Sequence, residues 1–314
     1  MEAQEDAQMS LYTSSPLEIN PATIGYFQSA KYRLWLNHRD QWSNLLTRGM
    51  ITETVSFDMP IPKKNVALGV LINNNSSLKG TMNDLSAMAC VGYTGILSKK
   101  SHQYLSFGLQ AGIKQKSFDP NKLSFNDQYI DGIGYSPDNP SHETFSKSSV
   151  LYPDFNAGLL WFVKDRWKRS KPWFGISGYH LTNPDESFTG YQSRLPRKLI
   201  AYGGFEYIAS RNTSMIPQFL VAQQGNFIQG SIGYLLSFNN FRNKNVSSFE
   251  LGAFYRTTDA VALSGGFEFL DFKFIFSYEY TISTLNQSKP GTGSIDFTIR
   301  YIRDGGDNRS VKFY

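Results

Sequence analysis

Four histidines, His38, His102, His142 and His180, are the first places to look for proton transfer or metal binding in this chain. Only His180 has suggestive neighbours. The run His180-Leu-Thr-Asn183-Pro184-Asp185 sets an imidazole beside an amide and a carboxylate, two parts of a serine hydrolase displayed on a barrel wall. Ser is plentiful, but no Ser motif marks a nucleophile, so the residues argue against an enzyme. No two histidines or cysteines share a metal-ligand spacing, and no phosphate loop or dinucleotide fingerprint is present. No cofactor or metal is expected, because Asn73-Asn74-Asn75 and Asp131-Gly-Ile-Gly read as turn chemistry. The single cysteine, Cys90, excludes a disulfide within the chain and reads as a strand thiol, although Leu-Ser-Ala-Met-Ala-Cys90 has the form of a lipoprotein cleavage box.

What the chain does carry is alternation. In Asp271–Tyr280, Phe272, Phe274, Phe276, Tyr278 and Tyr280 share one face, and Asp271, Lys273, Ser277 and Glu279 share the other. Leu105, Phe107, Leu109, Ala111 and Ile113 oppose a small and polar face, as do Ile295, Phe297, Ile299 and Tyr301, and Phe249, Leu251, Ala253 and Tyr255. Weaker period-two segments lie at 31–38, 51–60, 65–74, 86–97, 154–163, 171–181, 198–209, 214–222, 227–237 and 260–269. The pattern predicts an all-β transmembrane outer-membrane barrel of about fourteen antiparallel strands.

Composition agrees. Aromatics make up 15% of the residues while mean hydropathy is only −0.35, so the apolar surface is hidden in alternate positions rather than in helical spans. The net charge of +5 is spread among turns and lumen rather than massed on one stripe, which excludes nucleic acid as a partner. With both termini in the periplasm, the turns Pro60–Asn65, Ser98–His102, Lys164–Ser170, Ser210–Thr213, Ser237–Ser247 and the bend at Leu270 form a basic periplasmic rim. Lys164, Arg166, Lys168 and Arg169 are its densest part, suited to anionic lipid headgroups or an acidic partner. Trp161, Phe162, Trp167, Trp173 and Phe174, with Trp35 and Trp42 opposite, are expected in aromatic belts at the membrane surfaces. Inward Asp271, Lys273, Glu279, Asp296 and Arg300 are expected to form a charge lattice across the lumen. In the outer loops, Gln115–Ser149 and Thr182–Arg197, the residues Phe118, Tyr129, Tyr135, Phe145, Phe188 and Tyr191 are candidates for partner binding. The absence of a signal peptide suggests a processed chain.

Several segments resemble, in order, the PorP/SprF family of type IX secretion outer-membrane proteins of the Bacteroidetes. They are Ser10-Leu-Tyr12; Pro16-Leu-Glu-Ile-Asn20-Pro21-Ala22 with Gly25; and His38-Arg39-Asp40-Gln41-Trp42, similar to an Arg-x-Gln-Trp element. Next come Thr54-Val-Ser56-Phe-Asp58-Met-Pro60-Ile61, Pro153-Asp154-Phe155-Asn156-Ala-Gly158, Gly175-Ile-Ser177-Gly-Tyr-His180-Leu181-Thr-Asn183-Pro184 and Arg194-Leu-Pro196-Arg197. The closing hairpin carries Asp259-Ala-Val261, Gly266-Phe-Glu, Tyr278-Glu-Tyr280-Thr-Ile-Ser283 and Gly291-Thr-Gly293-Ser294. The resemblance covers about residues 10–302 and implies a non-enzymatic role in exporting or anchoring a large surface adhesin through its C-terminal sorting domain, in support of gliding motility. A core role linking the outer membrane to a periplasmic ring and its lipoproteins is the alternative, and a passive porin is a second. The expected organisation is an N-terminal segment, residues 1–30, a barrel, residues 31–302, and a basic tail, residues 303–314. Within the first, Tyr12, Ile19, Asn20 and Pro21 are expected to tuck into the periplasmic mouth as a plug.

Overall fold

In the computed structural model the chain closes into a fourteen-stranded antiparallel barrel. The described residues are 9–25, 30–43, 49–78, 80–123, 126–130, 132, 134–136, 145–164, 169–239, 246–283 and 292–304. The wall is built from β1 (Ala30–Gln41), β2 (Met50–Pro60), β3 (Val66–Ser77), β4 (Met82–Ser98) and β5 (Gln103–Phe118). A small hairpin follows, β6 (Tyr129–Ile130) and β7 (Gly134–Tyr135), outside the wall. The wall then continues with β8 (Ser149–Val163), β9 (Ser170–Tyr179), β10 (Lys198–Ile208), β11 (Thr213–Gln224) and β12 (Phe227–Asn239). It ends with β13 (Val246–Arg256), β14 (Ala260–Phe269), β15 (Phe272–Thr281) and β16 (Gly293–Asp304), which pairs with β1 from Ala30/Asp304 to Gln41/Ser294 and closes the ring. Closure gives every wall strand a hydrogen-bonded neighbour on both sides, as spanning a bilayer with strands requires.

Each of the fourteen alternating segments read from the sequence coincides with one wall strand. In β15, Phe272, Phe276, Tyr278 and Tyr280 face outward and exposed while Lys273, Ser277 and Glu279 are buried inside. The last strand runs two residues further than expected, so Arg303 and Asp304 belong to β16; residues 305–314 lie outside the described set. Short turns join one end of the strands, with Lys63, His102 and Leu270 at positive φ; the longer loops, 119–148 and 180–197, crown the other. In barrels of this type the short-turn end is periplasmic.

The interior is filled by the chain's own N-terminal segment. It forms a 3-10 turn at Tyr12–Ser14, a single helical turn α1 (Pro16–Ile19) and a second 3-10 turn at Pro21–Thr23, where the Asn20 side chain accepts from the Ala22 N–H. Its apolar residues Leu11, Tyr12, Ile19 and Ala22 pack with inward Leu160, Tyr202, Leu220 and Phe254 from β8, β10, β11 and β13. Leu17 and Ile24 pack with Ala67, Leu71, Met88 and Cys90 from β3 and β4.

The inward wall is therefore partly apolar, and some expected membrane belts prove to be lumen residues. Trp35 is buried inside, with the Arg33 and Arg300 guanidinium groups over its ring at 5.9 Å and 5.6 Å. Phe162 is buried and stacks on Tyr104, and Trp173 packs on the same inner cluster. The physical reason is that a filled lumen rewards inward aromatics as well as lipid does. Trp167 lies outside the described residues.

Candidate functional site

The N-terminal segment and the wall that grips it share buried polar contacts from one end of the lumen to the other. At its base, near the short-turn end, Arg33 of β1 makes a two-pronged ion pair with Asp58 of β2, Nε to Oδ1 at 3.0 Å and Nη2 to Oδ2 at 3.0 Å. The Gly25 N–H donates to Asp58 Oδ2 at 2.9 Å, and Arg33 Nη2 reaches the Thr23 carbonyl at 3.3 Å, so this buried pair fixes the point where the segment leaves β1. Paired guanidinium and carboxylate hold such geometry firmly.

Midway, Gln110 of β5 donates to the Leu17 carbonyl at 2.9 Å and Ser177 of β9 to the Ile19 carbonyl at 2.6 Å. The Asn20 amide donates to the carbonyls of Leu159 in β8, at 2.8 Å, and Ile176 in β9, at 3.2 Å. Inward glycines permit this approach: a Cβ on Gly108 would collide with the Pro21 backbone, and one on Gly158 with the Asn20 amide. Glu18 sits against β2 and β3, accepting from Thr54 Oγ1 at 3.0 Å and from the Asn73 amide. Burial raises its pKa, opposed by those hydrogen bonds.

At the far end the segment reaches Arg39 of β1, which is fully buried. Arg39 Nη1 donates to Ser10 Oγ at 2.5 Å and to Asp296 Oδ1 at 2.8 Å, and Nη2 donates to Glu279 Oε1 at 3.0 Å. Ser10 completes the cluster, its N–H to Asp296 Oδ2 at 2.7 Å and its hydroxyl to Glu279 Oε2 at 2.9 Å. Arg256 adds a second cation on Glu279 at 2.6 Å. Because Arg39 lies near the loop end of β1, the segment threads deep into the lumen rather than stopping at the periplasmic mouth. The expected Tyr12, Ile19, Asn20 and Pro21 all lie buried within the barrel.

Four of the five expected lattice residues face the lumen. Glu279 and Asp296 meet at Arg39, Lys273 pairs with Glu250, and Arg300 pairs with Glu268 at 3.2 Å. Asp271 does not join them: it lies in the turn before β15, beside Arg303 at 3.5 Å, because the strand starts one residue later. On the rim, Arg169 is exposed, whereas Lys164 is half-buried, and burial lowers its pKa. Arg166 and Lys168 lie outside the described residues.

The loop aromatics divide. Phe118 is buried, with ring centroids 4.7 Å from both Phe145 and Phe188, so these three fold over their own barrel rim instead of offering free surface. Tyr129 and Tyr135, 5.8 Å apart across the β6–β7 hairpin, are exposed, and Tyr191 is 84% exposed. His180 is tied to β8: its Nδ1 lies 2.7 Å from Asp154 Oδ2, and its backbone N–H donates to Asn156 Oδ1 at 3.0 Å. Among the described residues no group of three or more His, Cys, Asp or Glu side chains could hold a metal ion. Sequence reasoning missed Arg33, Arg39 and Asp58 as site residues, although Arg39 and Asp58 fall in motif segments and Arg33 in the alternating segment 31–38.

A model of the PorP/SprF membrane proteins of the type IX secretion system matches residues 1–301. This chain belongs to the PorP/SprF family. The segments that carried the resemblance converge here: Ser10 meets Arg39, Asn20 meets Gly158, and Asp154 meets His180. Among curated proteins none matches the chain. The toluene transporter TbuX of Ralstonia pickettii is similar in fold, with TM-score 0.57 and 11% identity over 92% of each chain. The monoaromatic hydrocarbon channel CymD is similar over 93% of this chain and 92% of its own, with TM-score 0.52 and 10% identity. At such identities the likeness concerns the fold alone. This PorP/SprF protein is thus a type IX secretion component with an outer-membrane barrel.

Proposed function

We propose that this protein receives one large surface adhesin at the outer membrane, engaging its C-terminal sorting domain and holding it during export and gliding. The observation that carries this reading is the lumen filled by residues 9–25 and bonded to the wall at its base, middle and far end. A barrel closed in this way is suited to binding a client at its loops, where Tyr129, Tyr135 and Tyr191 stand exposed, rather than to passing small solutes. Exposed Tyr suits binding hot spots through large area at low entropy cost.

A second reading has its own support. Lys63, Lys64, Lys99, Lys100, Arg169 and Arg211 are all exposed at the short-turn end, a surface suited to an acidic periplasmic ring protein or lipoprotein. Affinity purification from native outer membranes, followed by mass spectrometry, separates the two. A single adhesin with a sorting domain supports the receiver; ring proteins and lipoproteins replace it with the core role. A barrel recovered alone, together with open-channel conductance of the intact chain, would return the porin.

A further inference from the structure

The wall has one weak junction. Among the described residues, β8 and β9 pair only from Ala157/Gly178 to Phe162/Trp173, six residue pairs, whereas the other thirteen junctions hold nine to sixteen. Toward the loop end, Ser149–Asn156 of β8 pair with β5 but with no strand on the other side. The 180–197 loop runs along this edge instead: the Leu181 N–H donates to the Phe155 carbonyl at 3.0 Å, and the Tyr152 hydroxyl donates to Glu186 Oε2 at 3.3 Å. The Phe155 N–H is taken by its neighbour Asp154 at 2.9 Å, and the same carboxylate clasps His180. Pro153, on the same edge, has no N–H to offer. The edge is thus blunted against strand addition, as edges that become free must be.

The plug meets both strands of this junction through their backbone carbonyls, whereas it meets β2 and β3 through Glu18, and β15 and β16 through Ser10, by side-chain bonds. Leu159 and Ile176 are register partners across β8 and β9, and Asn20 donates one amide to both carbonyls. Inward Gly158 and Gly175 leave the room for it: a Cβ on Gly158 would collide with the Asn20 amide, and one on Gly175 with the Tyr202 ring and then the Asn20 amide. On the lipid side of the same strands lies an apolar groove of about 540 Å³, lined by Phe107, Ala157, Leu159, Ile176, Leu199 and Val221. Small Ala157, Gly178 and Ala201 at outward positions give it its depth.

We propose that the β8–β9 seam is a lateral portal latched by Asn20: with the N-terminal segment seated the seam is closed, and when the segment withdraws the seam parts and joins the lumen to the groove, where a lipid-type acyl chain enters. A plug bonded to both strands couples withdrawal to opening, since both break the two Asn20 hydrogen bonds.

The test uses the whole protein in lipid nanodiscs containing a phosphatidylcholine with a photoactivatable diazirine on its acyl chain. Asn20→Ala removes the latch from the plug, and Gly158→Ala displaces it from the wall; heat-modifiable gel migration verifies that each barrel folds. Both variants should speed amide exchange in 157–162 and 173–178 by about tenfold, the worth of one to two net hydrogen bonds, with β12–β13 unchanged. Acyl photolabel, confined to outward positions in the parent, should then appear on inward Leu160 and Tyr179. Unchanged exchange at the seam overturns the latch. Faster exchange without inward labelling overturns the portal, because the seam would loosen without opening. An equal rise in exchange around the whole barrel overturns both.

Discussion

Replacing Arg39 with methionine tests whether the far anchor of the plug rests on charge. The side chain is fully buried, and its loss removes the hydrogen bonds to Ser10, Asp296 and Glu279 at 2.5–3.1 Å. Glu279 keeps Arg256 at 2.6 Å and Ser294 at 3.0 Å, so the uncompensated charge is chiefly that of Asp296. Breaking a buried ion pair from one side costs about 3–5 kcal/mol, because the remaining ion stays desolvated. Replacing both partners is far cheaper, so Arg39→Met with Asp296→Asn should recover most of the loss. Urea unfolding in lipid vesicles measures the global cost, and amide exchange at Ser10–Tyr12 measures release of the anchor. If Arg39→Met costs less than about 1 kcal/mol, or if adding Asp296→Asn makes matters worse by a further full increment, the anchor is not electrostatic and the reasoning fails.

Glu18 makes the seating of the segment depend on pH. Burial raises its pKa in the folded state, so its contribution is complete below the ordinary carboxylate range and is lost as pH rises through the raised value. Exchange of residues 9–25, corrected for intrinsic rate, should therefore quicken with rising pH, and Glu18→Gln should flatten that dependence. Leu17, fully buried against Leu71 and Met88, should cost about 2–5 kcal/mol of segment docking as Leu17→Ala, seen as protease access to the N-terminal segment with the barrel intact. Phe118→Ala should free the 119–148 loop to proteolysis without lowering barrel stability, because its ring holds Phe145 and Phe188 rather than the wall. Tyr191→Ala, at an exposed site, should leave stability within about 0.5 kcal/mol but reduce client recovery in the pull-down; undiminished recovery removes Tyr191 from the binding surface.

The fourteen strands and their lipid faces were legible because a wall between lipid and interior writes its two environments onto alternate residues, a local signal of period two. Phe272 through Tyr280 and Leu105 through Ile113 needed no knowledge of their neighbours. The motifs were legible as words but not as a site. Ser10 and Asp296 stand at opposite ends of the chain, and Asn20 is far in sequence from Leu159 and Ile176, yet the closed barrel brings each within hydrogen-bond distance of its partner. Burial of Phe162, Trp35 and Trp173 inside the barrel was illegible for the same reason: an aromatic at a strand position suits lipid and a filled lumen equally, and the sequence does not state what fills the interior. Phe118, Phe145 and Phe188 show the same ambiguity in a loop, where apolar rings serve a partner or each other. The short β8–β9 junction is wholly tertiary, since alternation marks each strand but not how far two strands run side by side.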